Sequence, residues 1–130
     1  MNIVTCQLLR ICAIALCLWP STLLADGIVA VLKSPTQVNR NDAQTGSFKG
    51  SISVRDAISV GCDGEVIAVL LKNGTVNRYN ALTGAFQGSI SVGSKATSVQ
   101  VSGGVIVVTA AGQAIRYNAK IGTFMGSSSL

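Results

Sequence analysis

The sequence predicts an all-β chain built from a repeated four-stranded antiparallel unit, and three observations carry that reading. Residues 38–54 (VNRNDAQTGSFKGSISV), 76–92 (VNRYNALTGAFQGSISV) and 114–130 (AIRYNAKIGTFMGSSSL) align without a gap, each starting 38 residues after the one before. Short runs rich in β-branched residues recur at the same period, bounded by Gly, Asn or Asp. After the first 25 residues, no stretch sustains helical periodicity.

The start of the chain is set apart before any fold is considered. Met1 to Arg10 carries one basic side chain and no acid, and Ile11 to Trp19 is an uninterrupted apolar run. Pro20 breaks it, and Leu23-Leu24-Ala25 leads to Asp26-Gly27. A basic start, a short apolar core and a breaker before a small residue predict a cleavable signal-peptide helix over residues 1–25. The run is shorter than the roughly 20 residues a membrane span needs, so no stable span is expected after cleavage; an uncleaved anchor is the alternative. Leu23 would be a bulky residue at the −3 position, which leaves the cleavage point open. Leu16 before Cys17 is not the small residue a lipoprotein signal uses. The expected destination is secreted or periplasmic.

Residues 26–130 then form the mature repeat domain, with units at about 26–54, 55–92 and 93–130. Cys6, Cys12 and Cys17 fall in the leader, so Cys62 remains alone and no intramolecular disulfide is expected. Its place in the repeat matches Val101, which reads as a small core hydrophobe. Nine basic side chains stand against five acids in this part, a net of +4. They are dispersed through the repeats with no basic cluster and no interleaved aromatics, so nucleic acid is not an expected partner.

Within each unit the strands follow in order. Ala57–Cys62, Val66–Leu71, Thr75–Asn80 and Ala85–Val92 are the four of the middle copy. Asp63-Gly64 and Asn73-Gly74 mark tight hairpins, because their central residues tolerate positive φ. Asn73-Gly74-Thr75 also has the form of a glycosylation sequon, but a hairpin turn accounts for it. Asp42-Ala43-Gln44-Thr45-Gly46 and its copies suit a wider turn, with the Asp or Asn side chain accepting backbone N–H bonds. Val66-Ile67-Ala68-Val69 and Val105-Ile106-Val107-Val108 are apolar throughout, as strands covered on both faces are. The recurring Phe48, Phe86 and Phe124 are expected to fill space between adjacent sheets. The first copy starts late: Asp26 to Val31 matches only the second strand.

Four antiparallel strands at a period near 40 residues is the pattern of propeller blades. The predicted fold is therefore all-β, with about 2.75 four-stranded antiparallel propeller-like blades. Asp42-Ala43-Gln44-Thr45-Gly46 and Asn80-Ala81-Leu82-Thr83-Gly84 resemble the D-x-x-T-G segment in blades of quinoprotein-like (pyrroloquinoline quinone dehydrogenase-like) propellers and their non-enzymatic relatives. As a repeat type the chain also resembles WD-repeat-like blades. In the quinoprotein family a docking Trp follows the motif, whereas this chain has Gly50, Gly88 and Gly126 near that place, and its only Trp, Trp19, lies in the leader. The resemblance implies the blade fold and gives no support for a quinone cofactor.

No catalytic constellation is assembled from these residues. The chain has no histidine, and Asp63 with Glu65 is the only close acidic pair in the mature part, at a turn. A Ser–Lys dyad remains open on sequence alone. No phosphate loop, zinc spacing or calcium loop occurs, so no catalytic, cofactor-binding or metal residues are assigned. The candidate interaction residues are the recurring pairs Arg78-Tyr79 and Arg116-Tyr117, whose members point to opposite faces of a strand. The competing structural reading packs each Tyr between blades and leaves each Arg solvated or paired with an acid.

Rings of this kind hold four or more blades, so fewer than three must be completed or left as an open array. The expected function is a non-catalytic extracytoplasmic binding or scaffold protein, completed by a second copy or by another propeller-containing chain. The alternative is a truncated piece of a larger propeller protein or quinoprotein-like enzyme without activity of its own.

Overall fold

The computed structural model describes residues 27–130. The expected leader, residues 1–25, lies outside the described residues. Ile28–Asp42 and Ser47–Leu130 form one compact unit, and Ala43–Gly46 groups separately with Gly27, to whose carbonyl the Ala43 N–H donates (3.0 Å).

Eleven strands occur among the described residues. The first sheet holds β1 (Ile28–Ser34), β2 (Gln37–Asp42) and β3 (Phe48–Ser53). The second holds β4 (Ala57–Cys62), β5 (Val66–Leu71), β6 (Thr75–Asn80) and β7 (Phe86–Ser91). The third holds β8 (Ala96–Ser102), β9 (Val105–Ala110), β10 (Gln113–Asn118) and β11 (Phe124–Ser129). Each strand pairs antiparallel with its sequence neighbour in the same sheet. Short polar turns make this the cheapest connectivity, since each hairpin closes a small loop. Among the described residues no helix is long and apolar enough to cross a membrane.

The sheets stack face to face around two apolar clusters. Ile28, Val38 and Ile52 of the first sheet meet Ile67, Val69 and Tyr79 of the second. Val66, Ala68, Leu70, Val76 and Ile90 on the other face of the second sheet meet Val99, Val101, Ile106, Val108 and Tyr117 of the third. Side chains of one strand alternate between faces, so β5 supplies both clusters and Val66 to Leu70 are all buried. This is the physical cause of its unbroken apolar run. In β1 and β9 burial alternates instead. Val29 and Val31, which match Ile67 and Val69 in the repeat, are each 45% exposed.

The inner strands β4 and β8 lie so close that a Cβ at Gly61 would stand 2.9 Å from the Gln100 Cα. Two polar links cross the same gap: the Val99 N–H donates to Ser59 Oγ (3.1 Å), and the Gly104 N–H donates to Asp63 Oδ2 (3.0 Å). Between the first and second sheets, the Cys62 thiol donates to the Ile28 carbonyl (3.0 Å).

One expectation is corrected. The repeated phenylalanines do not fill the space between sheets: Phe48, Phe86 and Phe124 are 63%, 60% and 63% exposed. Each lies across from residue 41, 79 or 117 on the neighbouring strand. Phe86 meets the Tyr79 ring edge to face at 5.7 Å, and Phe124 meets Tyr117 in the same way at 6.0 Å. The tyrosine occupies the inter-sheet space, which leaves the phenylalanine as a partial lid over it.

Two outcomes follow from this packing. Leu70→Ala, in the fully buried centre of β5, is expected to lower the unfolding free energy by about 2–5 kcal/mol. Leu82→Ala, at an exposed turn, is expected to stay within about 0.5 kcal/mol. Denaturant titration of both variants reads the difference.

Candidate functional site

The most specific side-chain chemistry in the molecule lies where one sheet meets the next, and its parts come from four recurring positions. The first is the arginine of the third strand in each unit. Arg40 and Arg78 are 8% and 6% exposed, the only charged side chains buried among the described residues. Arg40 Nη1 donates to the carbonyls of Ala81 and Leu82, both at 3.1 Å, in the following sheet's turn. Arg78 Nη1 does the same to Ala119 (3.3 Å) and Lys120 (2.8 Å). In both, Nη2 turns back to its own sheet, to Lys49 O and Gln87 O respectively, at 3.1 Å. Each guanidinium thus staples two sheets through main-chain carbonyls.

Local backbone geometry explains why these carbonyls are available. Arg78 pairs with Gly88 and Tyr79 with Phe86, so Gln87 is the extra residue of a β-bulge. Arg40 with Gly50, and Arg116 with Gly126, repeat that register shift. The bulge leaves the carbonyl of the extra residue free of the ladder and aims it at the arginine. The glycine beside it is the second part of the seat. At Gly88 (φ +136°) a Cβ would stand 2.5 Å from Arg78 Nη2, and at Gly50 (φ +137°) 2.5 Å from Arg40 Nη2. Thus Gly50, Gly88 and Gly126, near the place where the resembled motif carries a docking Trp, leave room for an arginine.

The receiving turn is the third part. The N–H groups of Leu82 and Thr83 donate to Asn80 Oδ1 (2.8 and 3.0 Å), and those of Lys120 and Ile121 donate to Asn118 Oδ1 (2.9 and 3.1 Å). With the turn's N–H groups tied down on one side, its carbonyls point to the other. Gly84 and Gly122 complete it, since a Cβ there would crowd the Arg40 or Arg78 Nε at 3.1 or 3.2 Å. The fourth part is the tyrosine on the opposite strand face.

Among the sequence-designated residues, Arg78 is therefore buried and bonded to backbone carbonyls, neither solvated nor paired with an acid. Tyr79 and Tyr117 are buried in the two inter-sheet clusters, and burial pushes the Tyr117 hydroxyl above its ordinary range. Arg116 differs from its equivalents. It holds the same position over Gly126, where a Cβ would stand 2.6 Å from its Nη2. It is exposed, and no following turn among the described residues supplies it with carbonyls. The expected turn, with its Asn accepting backbone N–H bonds, is present, but its carbonyls and the bulge carbonyls as seats for arginine went unnoticed in the sequence, although the 38-residue spacing of Arg, Gly and Gly carried the signal.

Two titratable groups lie at the inner end of the same interface. Burial raises the Asp63 carboxyl pKa, but the N–H groups of Val66, Glu65 and Gly104 outweigh it and hold the group below its ordinary value. The Cys62 thiol is pushed up, first by burial and further by the neighbouring Asp63 charge. A groove of about 360 Å³ between the outer corners of the second and third sheets is lined by Glu65, Val66, Asn80, Leu82, Gln87 and Lys120. Across it Glu65 and Lys120 approach to 4.0 Å, both well exposed, a pair that contributes little in solvent. No group of three or more potential metal-ligating side chains occurs among the described residues.

Arg78→Met is expected to cost about 3 kcal/mol, because it leaves three carbonyls without a charged donor. Gly88→Ala is expected to cost a similar amount, about 3 kcal/mol, by displacing the same guanidinium and straining the backbone. The two act on one contact, so the double variant should fall well short of their sum; denaturant unfolding of the set measures the shortfall. For Asp63, the folded pKa is depressed, so its stabilisation is full above the unfolded value of about 3.9 and is lost as pH falls through the folded one. Thermal unfolding between pH 6 and 3 should fall more steeply for the parent than for Asp63→Asn.

No family model and no curated protein matches the chain. Solved structures do. BamB from Moraxella catarrhalis is 22% identical with a TM-score of 0.64, covering 82% of this chain. The quinohemoprotein alcohol dehydrogenase ADHIIG from Pseudomonas putida HK5 is 16% identical with a TM-score of 0.61, covering 80% of this chain. The RRP9 WD40 repeats are 8% identical with a TM-score of 0.66, also covering 80% of this chain. The chain spans 34%, 19% and 36% of those three chains respectively. All three are β-propeller proteins. At these identities the likeness is one of fold, and it agrees with the stacked antiparallel sheets: the described residues form a row of β-propeller-like blades.

Proposed function

We propose that the chain is a non-catalytic binding or scaffold module that works outside the cytoplasm, with residues 1–25 as its leader and 26–130 as its repeat domain. The observation that carries this reading is where the polar chemistry is spent. The two buried charges, the turn carbonyls that they bond and the Asp63 carboxylate that accepts from the Gly104 N–H all serve contacts between blades. In such a module the blades present turns and edges to a partner, and completion by further blades covers the end sheets. The exposed Val29 and Val31 on the first sheet support that need, because uncovered apolar sheet faces promote association.

A second reading is a three-blade piece of a longer propeller or quinoprotein-like enzyme, and the short span of this chain on its structural neighbours favours it. Translating the DNA just beyond the codon for Leu130 separates the two, further blade repeats there being expected of the piece alone; titration with pyrroloquinoline quinone tests its enzyme-derived form. The module reading expects no saturable binding, and tight stoichiometric binding would favour the enzyme-derived one. Export is tested by expressing the chain from Met1 and sequencing the recovered N-terminus. A start near Asp26 is expected, and an intact Met1 terminus would overturn the leader.

A further inference from the structure

We infer that the chain pairs head to tail with a second copy of itself, the last blade of each seating on the first blade of the other, with Arg116 as the staple. The inference rests on the completion reading above and names its contact.

The blade-to-blade interface occurs twice inside the chain, and each time it has a giving and a receiving side. The giving side is the face of Val66, Ala68, Leu70 and Val76 with Arg78. The receiving side is the next sheet's Ile106 and Val108 with the turn that ends in Gly122. The third sheet presents a giving side again: Val105, Val107 and Thr109 are only half-buried, and Arg116 stands over Gly126 in the pose of a seated arginine. The first sheet presents a receiving side: Val29 and Val31 match Ile106 and Val108 in the repeat, and both are exposed. By the same match, Ala43 and Gly46 correspond to Ala119 and Gly122. The described residues therefore carry a giving face with Arg116 and an exposed receiving face with Val29 and Val31, the two halves of an interface formed twice within the chain.

The number of copies follows from closure. Closed rings usually have about four to eight blades. Two copies of the three described sheets supply six, within that range, whereas three copies would supply nine. A contact between two different surfaces either closes or propagates, and two copies are the number whose described sheets fall in the closing range.

The test is sedimentation equilibrium of the chain expressed from its first residue and recovered after export. A dimer is expected. Arg116→Glu should weaken it by at least about thirtyfold, the loss typical of removing a buried hydrogen-bonded charge. Its circular dichroism should be unchanged, because Arg116 is exposed within one chain. Val31→Asp, on the opposite end sheet, should weaken the dimer comparably. An equimolar mixture of the two variants should then recover association, since one of its two interfaces joins unaltered faces. A wild-type monomer overturns this contact and leaves completion by another propeller-containing chain standing. A dimer indifferent to both substitutions, or a mixture no better than either variant alone, overturns the contact and leaves completion by another surface standing.

Discussion

A buried guanidinium held by three backbone carbonyls is the contact on which the arrangement of these sheets depends. An apolar interface alone would let two flat sheets slide or rotate against each other with little penalty, because hydrophobic contact is not directional. The arginine fixes the register. Its Nη1 can reach the two carbonyls of the next turn only when that turn sits opposite the bulge whose carbonyl holds Nη2. Placing a charge in the interior is costly, and carbonyl acceptors offset much of that cost without a carboxylate partner. Nε of Arg40 and Arg78 remains without an acceptor, so the staple contributes alignment more than surplus binding energy.

Its demands spread through the repeat. The glycine across from each arginine is required by the space the guanidinium occupies, and the positive φ there is required by the bulge. The Asn at the head of each later turn ties its N–H groups on one side so that its carbonyls face the other. The tyrosine one residue along points to the opposite face and packs against the preceding sheet, so neighbouring positions of one strand serve two different interfaces.

The strands and their count were legible because period-two patterning and Asp-Gly or Asn-Gly turns are local signals. The gap-free repeat made the unit visible even where single strands were ambiguous. The roles of Arg78 and Phe86 were not legible in the same way. Both depend on the bulge at Gln87, and a bulge is a register event between two strands that neither sequence reveals alone. Without it, Phe86 would be assigned to the interior by its hydrophobicity and Arg78 to the surface by its charge. Cys62 was easier, since its match to Val101 already read as a small core hydrophobe, and the structure places it, partly buried, against the first cluster.

The staple links residues about one repeat apart, Arg40 to Ala81 and Arg78 to Ala119. The middle unit therefore supplies one donor forward and one acceptor backward. Duplicating such a unit adds one donor and one acceptor together and leaves the balance between them unchanged. Such a gene can lengthen or shorten by recombination between its own copies without having to invent a new end surface. The near-identity of residues 49–54 and 87–92, KGSISV and QGSISV, is what a recent duplication of this kind would leave behind.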